Sequence, residues 1–149
     1  MKSLVVSRDF HQLRGLSSAH IAVADPTPFH RRVIADLFND GKSGRVEFYD
    51  NGATLIESCT SSVPDIVIID DKLPFVNGVE LLRTLSVLPS FERQLPKFIL
   101  FIDDSTRSNV QDAIAGGFAA VIKKPFVPNY LMQIIRQCFL DLNHQDVQP

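Results

Sequence analysis

Asp65-Ile66-Val67-Ile68-Ile69-Asp70 is the stretch on which the reading of this chain turns. Four consecutive β-branched aliphatics between two acids show neither a helical period nor an alternation. That is the pattern of a strand covered on both faces, at home in the centre of a parallel sheet. Moving outward, four further runs of the same kind appear. They are Ile21-Ala22-Val23-Ala24, Arg45-Val46-Glu47-Phe48-Tyr49, Phe98-Ile99-Leu100-Phe101-Ile102 and Ala119-Ala120-Val121-Ile122. The run from Arg45 alternates apolar with polar residues and reads as a half-exposed edge strand.

Stretches of helical period separate the strands. Phe29, Val33, Ile34, Leu37 and Phe38 fall on one helix face, and Thr27 before Pro28 offers a capping hydroxyl followed by proline at the first helical position. Gly41-Lys42-Ser43-Gly44 ends that helix. A short helix is predicted over residues 53–59, and another over residues 78–85 with Val79, Leu82 and Leu85 inward. A Ser- and Pro-rich loop then runs to Pro96. Residues 105–115 read as a helix with Val110, Ala113 and Ile114 inward, closed by Gly116-Gly117. Residues 129–142 carry an apolar stripe of Leu131, Ile134, Ile135, Cys138 and Leu142. Strands alternating with helices, joined by crossovers too long for hairpins, predict an α/β domain with a parallel sheet and helices on both faces.

Composition bounds the function. The chain has 149 residues, 45% of them apolar, which is enough for one sizeable core but not for two lobes. Fifteen Lys plus Arg against seventeen Asp plus Glu give a net charge of −2, without the basic footprint of a nucleic-acid binder. Cys59 and Cys138 have no second cysteine or histidine at ligand spacing, so they read as buried thiols in a reducing compartment rather than as a disulfide or zinc site. His11, His20, His30 and His144 show no metal-binding or dyad spacing and read as surface or packing residues. No signal peptide and no membrane span is predicted, so the cytoplasm is the expected location.

In doubly wound folds the loops at the carboxyl ends of the strands carry the site. The residues leaving the strands are Asp25 after the first, Asp70 and Asp71 after the third, Asp103 and Asp104 after the fourth, and Lys124 after the fifth. Charged strand exits are often only solvated turns. Asp70 stands apart because four aliphatics lead it out of the best-covered strand, and Lys124 because Pro125 follows, where a cis peptide would aim it into the cleft. Grouped carboxylates suggest a hard divalent cation, and a carboxylate beside a lysine suits nucleophilic acceptance of a phosphoryl group. No Gly-rich nucleotide loop is present.

Pro64 to Asp70, with Pro74 four residues later and Gly78 four after that, together with Lys124-Pro125-Phe126 and Gly117 seven residues upstream of Lys124, resembles the receiver domain of bacterial response regulators, the CheY-like family. The resemblance covers about residues 19–142, leaving residues 1–18 as an N-terminal extension and 143–149 as a tail. In the extension, Leu4-Val5-Val6 and Phe10, Leu13 and Leu16 read as a strand-like tip and one amphipathic turn, with a frayed terminus the alternative. The resemblance implies a flavodoxin-like doubly wound sheet of five parallel strands, order 2-1-3-4-5, with five helices. It further implies a phosphoacceptor at Asp70, Mg²⁺ held by Asp25 and Asp70, and Lys124 on the phosphoryl group. A histidine kinase or phosphotransfer protein would be the donor, and a downstream protein the target. His30-Arg31-Arg32 is a small basic patch where family members meet their kinase, with a solvated helix face as the plainer account. A homodimer through the last helix is open.

The departures from the family pattern bear on function. The acidic pair after the first strand is broken, because Pro26 follows Asp25, and this implies weak Mg²⁺ binding unless Asp71 or Asp103 reaches in. The hydroxyl expected at the end of the fourth strand is replaced by Phe101 or Ile102. Ser105 and Thr106 lie further on and read as a helix cap. Val121 stands where many receivers place an aromatic switch residue.

Two readings follow: a receiver phosphorylated at Asp70, or a degenerate receiver acting as a phosphate-independent protein-binding adaptor. An Asp-nucleophile phosphohydrolase is disfavoured because Lys72 stands where a second acid is needed. With no stretch long enough for an effector domain after Leu142, the expected output is contact with another protein.

Overall fold

The computed structural model describes residues 15–39, 44–104, 106 and 109–143. Five strands, β1 (His20–Ala24), β2 (Arg45–Tyr49), β3 (Ile66–Asp70), β4 (Lys97–Ile102) and β5 (Ala120–Lys123), alternate with five helices. These are α1 (Pro28–Leu37), α2 (Gly52–Cys59), α3 (Gly78–Ser86), α4 (Val110–Gly116) and α5 (Pro128–Asn143). The strands form one parallel sheet in the order β2-β1-β3-β4-β5. β3 is central and buried along its whole length, as its run of aliphatics requires, and β2 forms an edge.

Strand alternation divides the core into two layers. Ile21, Val23, Ile66, Ile68, Ile99 and Phe101 face α1 and α5, meeting Ile34, Leu131, Ile135, Cys138 and Phe139. Ala22, Ala24, Val67, Ile69, Phe98 and Leu100 face the other side, meeting Leu55, Cys59, Leu81, Leu82, Leu85 and Ala113. At roughly 1.5–3 kcal/mol for each fully buried large aliphatic or aromatic side chain, these two layers drive the fold. They also bring the carboxyl ends of β1, β3, β4 and β5 to one edge.

Several local expectations are corrected. α4 begins at Val110 rather than 105. Its cap is Asn109, whose Oδ1 accepts the Gln111 and Asp112 N–H groups at 2.7 and 3.3 Å. Ser105, read as a helix start, lies outside the described residues. Of the three residues expected inward, only Ala113 is fully buried, while Val110 and Ile114 are half exposed. Gly117 closes α4 with φ of 121°, a conformation that favours glycine.

Thr27 stands at the N-cap of α1 with Pro28 first in the helix, but its hydroxyl makes no capping bond. Phe29, in the first turn at the carboxyl edge of the sheet, is 70% exposed rather than packed. The loop to Pro96 contains a 3₁₀ turn, Pro89–Phe91, that buries Phe91. Of the expected extension, a 3₁₀ turn at Leu16–Ser18 is described and Leu16 packs on the core. Residues 1–14, with Leu4, Val5, Val6, Phe10 and Leu13, lie outside the described residues, as do residues 41–43 of the first helix stop and the tail from His144.

Candidate functional site

The carboxyl edge of the sheet gathers Asp25 from the end of β1, Asp70 from the end of β3 and Lys124 from the end of β5. Asp25 is fully buried, and Asp70 and Lys124 nearly so. The Lys124 Nζ donates to Asp25 Oδ2 at 2.6 Å and to Asp70 Oδ2 at 2.5 Å. Backbone groups orient both carboxylates: the Thr27 N–H donates to Asp25 Oδ1 at 2.9 Å and the Lys72 N–H to Asp70 Oδ1 at 2.8 Å. Here is the task Thr27 performs in place of a hydroxyl cap. The backbone of Lys124 is fixed by its N–H to Ile102 O at 2.7 Å, and the Lys124–Pro125 peptide is cis.

A fourth member of the cluster was not legible as such. His30, in the first turn of α1, sits with Nδ1 2.7 Å from Lys124 Nζ and 3.9 Å from Asp25 Oδ2. The sequence placed it in a basic patch or on the surface. The available signal was its position five residues after Asp25, beyond a Pro28 that turns the chain back over the strand ends.

The fourth-strand position also resolves. Phe101, not Ile102, is paired in register with Asp70. Its ring is buried, lies 5.3 Å from Lys124 Nζ, and stacks on Phe126 at 5.2 Å and 27°. An aromatic face therefore lies where the family pattern has a hydroxyl. Ile102 and Val121 pack toward the α2–α4 layer, away from Phe101. The Thr106 hydroxyl is occupied nearby: it accepts the Asp103 N–H at 2.9 Å and lies 3.3 Å from Asp103 Oδ1.

The remaining acids serve the loops. Asp71 Oδ1 accepts the Gly78 N–H at 2.9 Å, tying the loop after β3 to the start of α3. Asp103 pairs with Lys72 at 3.2 Å, and Asp104 with Lys123 at 2.6 Å in solvent. Asp103 and Asp104 line the same cavity as His30, Lys124 and Pro125, at the mouth of the site. Among the described residues no group of three Asp, Glu, His or Cys is arranged to hold a metal ion. The donor set is two carboxylates already closed on an ammonium, with Pro26 offering no side-chain ligand. It fits Mg²⁺ poorly, since that ion demands near-octahedral oxygens at roughly 2.0–2.1 Å.

A five-stranded doubly wound sheet with an aspartate at the end of its central strand, facing a lysine from the last, defines a receiver-type signalling module. The family model for the response regulator receiver domain matches residues 21–136, and the chain belongs to that family. It is 26% identical over 117 residues to the chemotaxis protein CheY of Bacillus subtilis, covering 78% of this chain and 94% of that one. It is 24% identical over 131 residues to a protein-glutamate methylesterase/protein-glutamine glutaminase of Desulfotalea psychrophila, covering 81% of this chain and 36% of that protein. The chain thus spans about a third of the methylesterases it matches. The receiver domain of a sensor histidine kinase from Pseudomonas aeruginosa, solved with magnesium coordinated in its active-site cleft, shares the fold. Its TM-score is 0.70 at 18% identity, covering 82% of this chain and 98% of that one. The chain is a receiver of two-component signalling. Among the described residues no helix is long and apolar enough to cross a membrane.

Proposed function

We propose that this receiver takes a phosphoryl group on Asp70 from a histidine kinase or phosphotransfer protein and signals in the cytoplasm by contact with a downstream protein, without enzymatic output of its own. The observation that carries this reading is the Asp70–Lys124 pair. A carboxylate stands at the mouth of the central strand, oriented by the Lys72 N–H, with an ammonium 2.5 Å from its other oxygen. An Asp70 oxygen attacks phosphorus, the P–O bond forms as the donor's P–N bond breaks, and the imidazole leaves with its electron pair. The ammonium of Lys124 then faces a phosphoryl oxygen and offsets the added charge.

A second reading, a phosphate-independent adaptor, is favoured by Phe101. Its ring stands beside Asp70 where the family pattern has a hydroxyl to meet the new group. Incubation with acetyl phosphate and intact-mass measurement separates the two. The first reading requires a gain of about 80 Da, labile to hydroxylamine and absent from Asp70→Asn. Unmodified protein with every phosphodonor supports the adaptor.

A further inference from the structure

We propose that Lys124, anchored by His30, is the resident cation of this site and that the unphosphorylated protein takes no divalent metal there. An ammonium has three donors and no acceptor. All three donors of Lys124 are used, on Asp25 Oδ2, Asp70 Oδ2 and His30 Nδ1, each within 2.7 Å. Since the ammonium has no lone pair, His30 Nδ1 is the acceptor and the ring proton resides on Nε2. The two oxygens that would bind a metal thus converge on a nitrogen whose hydrogen-bonding capacity is full, and their partner oxygens are held by backbone N–H groups.

A metal would have to expel Lys124, and the surroundings oppose that. The side chain is 7% exposed, its charge lies against the face of Phe101, and Phe126 stacked on Phe101 holds that ring in place. Pro26 stands where the usual further acid would be, Asp71 accepts the Gly78 N–H, and Asp103, on the same cavity as Lys124, is paired with Lys72. His30 therefore acts as a positioning residue. Without it the ammonium keeps two acceptors and the freedom to swing out toward solvent.

The test uses Mn²⁺ as the probe and amide NMR as the readout, with no phosphodonor, so its result stands apart from whether Asp70 is phosphorylated. In the wild type, Mn²⁺ up to about 1 mM is expected to leave the Asp25, Asp70 and Lys72 amides unbroadened. The Lys124 ammonium protons should exchange slowly enough to be seen. Pro26→Asp restores a second acid and should raise Mn²⁺ affinity about tenfold or more. His30→Ala, at a side chain 28% exposed, should keep the fold yet speed Lys124 ammonium exchange and admit Mn²⁺. His30→Gln, whose side-chain carbonyl accepts a hydrogen bond, should reverse both effects. Site-specific broadening of the wild type, or Lys124 exchange indifferent to His30→Ala, would overturn the proposal.

Discussion

Replacing Lys124 with methionine should cost this protein about 4 kcal/mol of stability, and the figure follows from the geometry of the site. Asp25 and Asp70 each place an oxygen within 2.6 Å of one nitrogen, so those oxygens lie no more than about 5 Å apart. At an effective dielectric constant of about 20, two unit charges at that separation repel by about 3 kcal/mol, a repulsion the ammonium now offsets. Removing one partner from a buried ion pair typically costs about 3–5 kcal/mol; the worked repulsion of about 3 kcal/mol is the lower end of that range, and about 4 kcal/mol is its middle. Methionine fills much of the volume, so the loss reads electrostatics rather than a cavity. Equilibrium urea unfolding should show a lower midpoint with an unchanged slope, and the melting temperature should fall by about 10 °C. Adding Asp25→Asn to Lys124→Met removes one of the two facing charges while leaving an acceptor for the Thr27 N–H, and should recover about 2 kcal/mol. A loss below about 1 kcal/mol for Lys124→Met would refute the reasoning, because it would place the site in water.

Phe101→Thr removes the ring stacked on Phe126 from a fully buried position, and should cost about 3 kcal/mol in denaturant unfolding even though it restores a hydroxyl beside Asp70. Gly44→Ala should destabilise by about 2 kcal/mol, because Gly44 has φ of 92° and a Cβ there would lie 2.5 Å from the Ala19 carbonyl oxygen. Burial pushes the Cys59 thiol up from 9.0 to about 11, so iodoacetamide at pH 8 should leave it unmodified in the native protein and alkylate it rapidly in denaturant. The folded protein holds that proton more tightly than the unfolded chain does. The stability this group contributes is therefore intact below pH 9 and lost as pH rises through about 11, a decline that Cys59→Ala should lessen in alkaline melts.

The central strand and the alternation around it were legible because burial on both faces leaves a one-dimensional mark, a run of β-branched residues between acids. Asp25, Asp70 and Lys124 followed from that, since a strand exit fixes which edge of the sheet a residue reaches. Phe101 and Ile102 were not separable, because which of them stands beside Asp70 is a matter of register between β3 and β4, and adjacent strand residues point to opposite faces. His30 was hidden for a related reason. Its partner Lys124 lies 94 residues away, and only the packing of α1 over the strand ends brings the two together. The start of α4 was misplaced because Ser105, Thr106 and Asn109 all have side chains suited to capping. Thr106 is drawn into a turn with Asp103, while Asn109 takes the cap and is followed by an acid, Asp112, in the first turn.

If Asp70 is served by Lys124 rather than by a metal, its phosphorylation needs no divalent cation, and one measurement addresses this most directly. The protein is incubated with phosphoramidate in parallel in excess chelator and in Mg²⁺, and its intact mass is followed over time. The expected result is a gain of about 80 Da under both conditions at similar rates, located on the peptide containing Asp70 and absent from Asp70→Asn. A gain that requires Mg²⁺ would contradict the role given to Lys124, and an unchanged mass under both conditions would contradict the assignment of Asp70 itself.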